Sequence, residues 1–207
     1  MKKIHVRDAV GEVLCHDIAR IVIGKVKDTP FRRGQRITAE DIPLLLSLGK
    51  KHIFVMEPSD TNKMHEEDVA AALYALCAND SIYPSEVREG KIEAFAAHDG
   101  MLSIDVERLN AINAIGELTI VTKWSHTAVK KDDKLAGMRC IPLLLDKSEV
   151  EEAKRIAGDE PLLKVVPFTV KTMGIVTTGS EVATGRIKDA FTPIIKERTA
   201  PFGMELV

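Results

Sequence analysis

The sequence predicts an α/β protein, α+β overall, in which mostly β units come first and a single strand–helix–strand unit comes last. Three observations carry that expectation. Short alternating or β-branched runs punctuated by Gly and Asp recur over residues 10–56 and 89–145. Two segments, 65–78 and 148–157, place apolar residues at helical spacing instead. From Lys171 onward the chain reads strand, loop, helix, strand, the order of one βαβ unit.

Within residues 1–57, a small β-rich unit, Val10–Gly24 mixes alternation with a β-branched run between glycines and predicts two short strands. Arg33-Gly34 marks a turn. Thr38 and Asp41 are cap candidates for a short helix with Pro43 in its first turn and Gly49 at its end. Lys51–Met56 returns to a strand, and the polar stretch Glu57–Asn62 suits a boundary. In the second unit, residues 58–160, His65–Ala78 carries acids in its first turn and repeats Val69, Ala72, Leu73, Leu76 and Cys77 on one face, which predicts an amphipathic helix. Glu89–Ala97 drops to period two, Asp99-Gly100 supplies a hairpin signal, and Met101–Ile104 continues as a strand. Val106–Ile115 can form a helix, Glu117–Thr122 a strand, and Lys131–Asp133 a turn into Leu135–Leu145. Ser148–Ala157 closes the unit as a helix with Gly158 behind it, and residues 158–161 are the expected linker. In the third unit, residues 161–207, Lys171–Thr177 is an apolar run without alternation, the pattern of a strand covered on both faces. A turn spans Thr178–Gly185, Asp189 or Thr192 can cap the next helix with Pro193 in its first turn, Ile194–Phe202 run to Gly203, and Met204–Val207 starts another strand.

Composition narrows the function classes. The 207 residues, 45% of them hydrophobic, suffice for one large domain or two small ones with a real core. A net charge of −2 supplies no basic field for a nucleic-acid backbone. The longest apolar runs, Ile141–Leu145 and Pro43–Leu46, fall far short of the ~20 residues that cross a bilayer. Met1-Lys2-Lys3 is followed by Arg7, Asp8 and Glu12 where a signal peptide needs an apolar stretch, so the expected location is the cytoplasm. Cys15, Cys77 and Cys140 lie more than sixty residues apart and read as small buried hydrophobes, neither a disulfide framework nor a zinc knuckle.

The candidate site is the loop Thr177-Thr-Gly-Ser-Glu-Val-Ala-Thr-Gly185 with Arg186 and Asp189, at the carboxyl end of a strand where open α/β sheets bind ligands. Hydroxyls of Thr177, Thr178 and Ser180 and glycine-exposed amides suit an anionic group near a helix N-terminus. Five residues separate Gly179 from Gly185 and Arg186-Ile187 follow, so the loop is not an ATP-binding P-loop, nor is it GxGxxG. Pattern alone leaves a ligand loop and a structural turn both open. Elsewhere, His16-Asp17 and His98-Asp99 point to opposite faces of a strand and read as structural or solvated. Glu66-Glu67-Asp68 complements a helix dipole without a cation. Trp124 suits a core or interface anchor better than a stacking platform. Lys91–Ser103 and Val129–Leu145 faintly resemble the halves of a biotinyl or lipoyl carrier, yet no carrier lysine lies in the apolar hairpin between them.

Gly174-Ile-Val-Thr-Thr-Gly-Ser-Glu-Val182, Gly185-Arg-Ile-Lys-Asp189, Pro193 and Gly203 resemble the opening of the molybdopterin-binding domain shared by molybdopterin molybdotransferases and adenylyltransferases. Gly11–Ile18, Phe31–Gly34, Glu40–Ile42, Leu46–Lys50, Glu89–Lys91 and Val176–Ile187 resemble a prokaryotic branch of molybdopterin-binding proteins, and this second likeness covers most of the chain. The resemblance implies molybdopterin or its adenylylated form as ligand and a role in molybdenum-cofactor biosynthesis. The contacts would come from Thr177, Thr178, Gly179, Ser180, Glu181, Gly185 and Asp189. Gly179, Glu181 and Asp189 match the family's loop residue by residue, and Glu181 and Asp189 would orient the ligand or a divalent ion such as magnesium. Ser180 departs from an Asp implicated in handling molybdate, which sets a molybdotransferase-like enzyme against a non-catalytic scaffold that senses or shuttles cofactor. The family's later Gly-Gly-Ser-type loop would lie past Val207, so the expectation is a βαβ fragment with an incomplete site, no tightly bound cofactor, no activity of its own and catalytic residues left unassigned. One βαβ unit cannot cover its own sheet, and a doubly wound domain needs roughly 100 or more further residues. The alternative is that it packs on the preceding β units or on a second copy, as in a homo-oligomer.

Overall fold

A computed structural model describes the backbone of residues 1–22 and 26–207, and the side chains outside residues 21–27. The fold is α+β, built on two hydrophobic cores. The first core gathers β1 (Lys2–His5), β2 (Ile18–Val22), β3 (Val26–Phe31), α1 (Asp41–Ser47) and β4 (His52–Val55). β1 pairs antiparallel with β4, and β2 with β3. Leu14, Ile18, Phe31, Ile37, Leu45 and Ile53 are its largest buried side chains. The first of the two strands expected over 10–24 shrinks to isolated bridges from Val13 to Arg36 and Leu14 to Val55; β2 is the second, and residues 23 and 24 lie outside the described residues. Neither cap candidate of α1 serves as its N-cap: that position is Glu40, without a side-chain cap, and the Thr38 amide and hydroxyl instead donate to the Asp41 carboxylate at 2.8 and 2.9 Å in the turn that leads into the helix.

The second core follows a single 3-10 turn over Pro58–Asn62. Its elements are β5 (Lys63–His65), α2 (Glu66–Ala75), β6 (Ile82–Pro84), β7 (Lys91–Ala96), β8 (Gly100–Ile104), α3 (Val106–Asn113), β9 (Leu118–Thr122), β10 (Ala128–Val129), β11 (Lys134–Cys140), β12 (Leu144–Asp146), α4 (Lys147–Ala157) and β13 (Leu163–Val166). One four-stranded sheet runs β6-β7-β11-β9 and a three-stranded sheet runs β10-β8-β13. The faces that period two assigns to β7 are inward at Ile92, Ala94 and Ala96, and α2 lays Val69, Ala70 and Leu73 over them. α4 buries Val150, Ala153 and Ala157 on the same core.

Three expectations change here. The Asp99-Gly100 turn is tight, but β7 and β8 belong to different sheets, so it is a corner and not a hairpin. The corner is tied to the turn at 130–133, where Lys131 N donates to Asp99 Oδ1 at 2.8 Å and Asp132 N to the Ala96 carbonyl at 2.8 Å. The chain also stays in this core past the 158–161 stretch, because β13 pairs with β8 and buries Leu163 and Val165. Trp124 is no core anchor: it sits just beyond β9 with 88% of its surface exposed.

The last unit holds β14 (Thr172–Met173), α5 (Ser180–Ala183), α6 (Phe191–Thr199) and β15 (Glu205–Leu206). β14 and β15 run parallel, with Glu205 N donating to the Lys171 carbonyl and Val207 N to that of Met173. This is the βαβ order read from the sequence. The strand covered on both faces is not there: only two residues pair, and Val176 is 89% exposed. No described helix is long and apolar enough to cross a membrane.

Candidate functional site

The loop between β14 and α6 leaves the carboxyl end of a parallel strand, and local chemistry shapes it. Gly179 enters α5 at φ +127°, a backbone conformation open to glycine, and the Glu181 carboxylate folds back to within 3.2 Å of where a Cβ would stand. The Glu181 carbonyl accepts from Arg186 N at 2.8 Å and Ile187 N at 3.1 Å, which closes the turn after α5. Gly185, at φ +70°, donates to the Val182 carbonyl. Asp189 accepts from the amides of Phe191 at 2.8 Å and Thr192 at 3.2 Å, and from the Thr192 hydroxyl, so it caps α6. Those hydrogen bonds, with a further one from Thr177, hold its carboxyl below the usual range.

The structure therefore brings Thr177 to Asp189 and Glu181 to Gly179. Thr178, Ser180 and Gly185 stand free of both pairs; the Thr178 and Ser180 hydroxyls make no side-chain hydrogen bond among the described residues. Six of the seven predicted residues are exposed, and Asp189 is half-buried. The arrangement offers hydroxyl donors on one side of a ligand. The helix amides that would serve an anion are already taken by Asp189.

A second concentration of polar groups lies between the two cores, where sequence reading placed only structural roles. A crevice of about 820 Å³ has His16, Asp17 and Phe54 on the side of the first core and His65, Glu66 and Glu89 on the side of the second. Asp17 holds the turn before Gly34, accepting from Arg33 N at 2.7 Å and Arg32 Nη1 at 3.0 Å. Arg33 reaches across the cores to Asp68 at 3.0 Å. His65 is the N-cap of α2, its Nδ1 accepting from Glu67 N at 3.3 Å, and it is only 8% exposed. Burial, helped by the nearby Arg33, lowers its pKa to about 4 despite the opposing Asp68 and Asp17. His16 Nδ1 and His65 Nε2 are both buried without a hydrogen-bond partner among the described residues. His16 also packs edge-on against Phe54 with ring centroids 6.0 Å apart. The only sequence signal for this crevice was a His in each half beside acids, a pattern that ordinary caps and turns share.

The three cysteines are buried and free. Burial pushes the Cys77 thiol up to about 12 and the Cys140 thiol up to about 11, so neither is a nucleophile at neutral pH.

Residues 3–57, which contain the first core, match the profile of a domain of unknown function, DUF8806. Neither the curated proteins nor the solved structures yield a match to the chain.

Proposed function

We propose that the loop over residues 177–189 is a molybdopterin-binding element and that the protein acts in molybdenum-cofactor biosynthesis or delivery, in the cytoplasm and as a homo-oligomer. One observation supports the reading: β14 pairs parallel with β15, and the chain leaving the carboxyl end of β14 runs into the Gly179–Glu181 turn, on the side where α/β units take their ligands, with Thr177 bonded to Asp189. The motif resemblance supports it at the same residues. Exposed hydroxyls of Thr178 and Ser180 are available to a phosphate or pterin edge, which fits a one-sided contact to molybdopterin or its adenylylated form. When bound, the cofactor would supply the dithiolene chemistry; the chain would hold and orient it.

A holding or shuttling role is favoured over a molybdotransferase step because Ser180 stands where the resembling enzymes carry an acid implicated in molybdate handling. Calorimetric titration of the protein with molybdopterin tests the reading. Saturable binding, weakened about tenfold by Glu181→Gln through loss of a charge-assisted contact, is expected. Binding that is absent, or unchanged in both Glu181→Gln and Ser180→Ala, sinks it. Molybdate-dependent turnover would move the reading from scaffold to enzyme.

A further inference from the structure

The crevice between the two cores is lined by His65 and by the carboxylates of Asp17, Asp28, Glu66, Glu67 and Glu89, against the two arginines Arg32 and Arg88. The neutral His65 ring that accepts at Nδ1 carries its proton at Nε2, and that N–H is buried with no acceptor among the described residues. Leaving a buried donor unpaired is costly, so the site is built for an acceptor atom. On the same wall, Glu66 and Glu89 form no ion pair among the described residues, whereas Asp17 is taken by Arg32 and Asp28 by Arg20. Gly90 lodges against the Glu66 side chain so closely that a Cβ there would stand 2.5 Å from its carboxyl. Glu89 and Gly90 both adopt positive φ, +52° and +68°, to make this turn. Burial, together with the neighbouring Glu67 and Glu89, holds the Glu66 carboxyl above its usual range, and Arg139 opposes that shift without bonding to it.

These groups select a ligand class. A bare anion is repelled by Glu66, Glu67 and Glu89, and the two arginines of the lining are already paired, Arg32 with Asp17 and Arg88 with Glu86. No group of three or more His, Cys, Asp or Glu among the described residues is arranged to hold a metal ion. Phe54 and Leu143 add apolar wall for a carbon skeleton, and the volume is in the range of small-molecule sites. We propose that the crevice binds a small primary amine that also carries an oxygen acceptor, the class of free amino acids and amino alcohols. Its ammonium is held by Glu66 and Glu89, and its oxygen accepts from His65 Nε2–H. This site is independent of the loop at residues 177–189.

The test uses the whole protein labelled at histidine with nitrogen-15 and titrated at pH 7.5 with glycine, lysine, ethanolamine and inorganic phosphate. The His65 ring signals and calorimetric heat are followed. At least one amine is expected to shift the His65 Nε2–H signal saturably. Glu66→Gln and Glu89→Gln each weaken that amine by about tenfold, the effect of losing one charge-assisted contact, with unchanged melting temperature. Glu181→Gln leaves it unaffected. The proposal is overturned if no amine moves the His65 signals, if binding survives both Glu66→Gln and Glu89→Gln, if Glu181→Gln abolishes it, or if phosphate binds instead and Glu66→Gln tightens it.

Discussion

Protonating His65 harms the fold in two ways, because the new cation would be buried near Arg33 and its Nδ1 could no longer accept from Glu67 N at the start of α2. Its folded pKa of about 4 lies below the ordinary value of 6.5. The neutral ring is therefore the stable one: its contribution is complete above the unfolded pKa and is lost as pH falls from about 6.5 towards 4. A depression of this size is worth up to about 3 kcal/mol. Urea unfolding at pH 7.5 and 4.5 should show the native protein losing stability more steeply than His65→Asn, whose amide still caps the helix but does not titrate. Equal slopes would show that His65 is not the group responsible. Cys77 makes a second case. With its thiol fully buried and its pKa raised to about 12, modification by a disulfide reagent at pH 8 should proceed only through opening of the second core. A rate that follows reagent concentration linearly at full native stability, as for an exposed thiol, would contradict the burial.

The corner between β7 and β8 rests on Gly100, where an added Cβ would stand 2.4 Å from the Val166 carbonyl oxygen and 2.8 Å from Val165. Backbone cannot yield as a flexible side chain can, so Gly100→Ala must part β8 from β13. The expected cost in urea unfolding is about 1–3 kcal/mol. Gly137→Ala, in β11 with nothing within 4 Å of its Cβ position, should change stability by less than about 0.5 kcal/mol. Equal effects would remove the steric account. The same corner shows what the chain reveals locally and what it conceals. α2, α4 and β7 were legible because their apolar periodicity and first-turn acids are properties of adjacent residues. The pairing of β8 with β13, rather than with its neighbour β7, depends on residues about sixty positions on and leaves no mark near Asp99. The local turns of residues 177–189 were legible for the same reason as the helices, since the turn glycines and the Asp189 cap lie within one short stretch. The crevice was not, since His16 and His65 sit on different cores and only the fold makes them neighbours. Replacing Asp189 by Ala should fray α6 specifically, seen as lost amide protection at Phe191 and Thr192, whereas Asn should retain most of it.

Burial divides the whole chain unevenly, and that division has dynamic consequences. The two cores bury Leu14, Phe31 and Leu45 on one side and Leu73, Leu102 and Ile120 on the other, whereas no residue from Val166 to Val207 is buried. The βαβ unit is held by two β-bridge pairs, the Asp189 cap and an edge contact between Phe168 and Phe202 with centroids 5.1 Å apart. Val176, Phe191 and Val207 remain open to solvent. Opening such a unit exposes little new apolar surface, so its free energy of opening must be small compared with that of the cores. Native-state hydrogen exchange should accordingly place amides of β14, β15 and α6 at least about a hundredfold faster than those of β7 and β11, a gap of roughly 3 kcal/mol. The Phe168–Phe202 contact adds a check within the same measurement, because Phe202→Ala should speed exchange across α6 and leave β7 untouched. Protection in the βαβ unit equal to that in the four-stranded sheet would mean that its apolar face is covered in solution. The concentration dependence of that protection would then decide the cover, since a second copy protects more as protein concentration rises and packing within one chain does not.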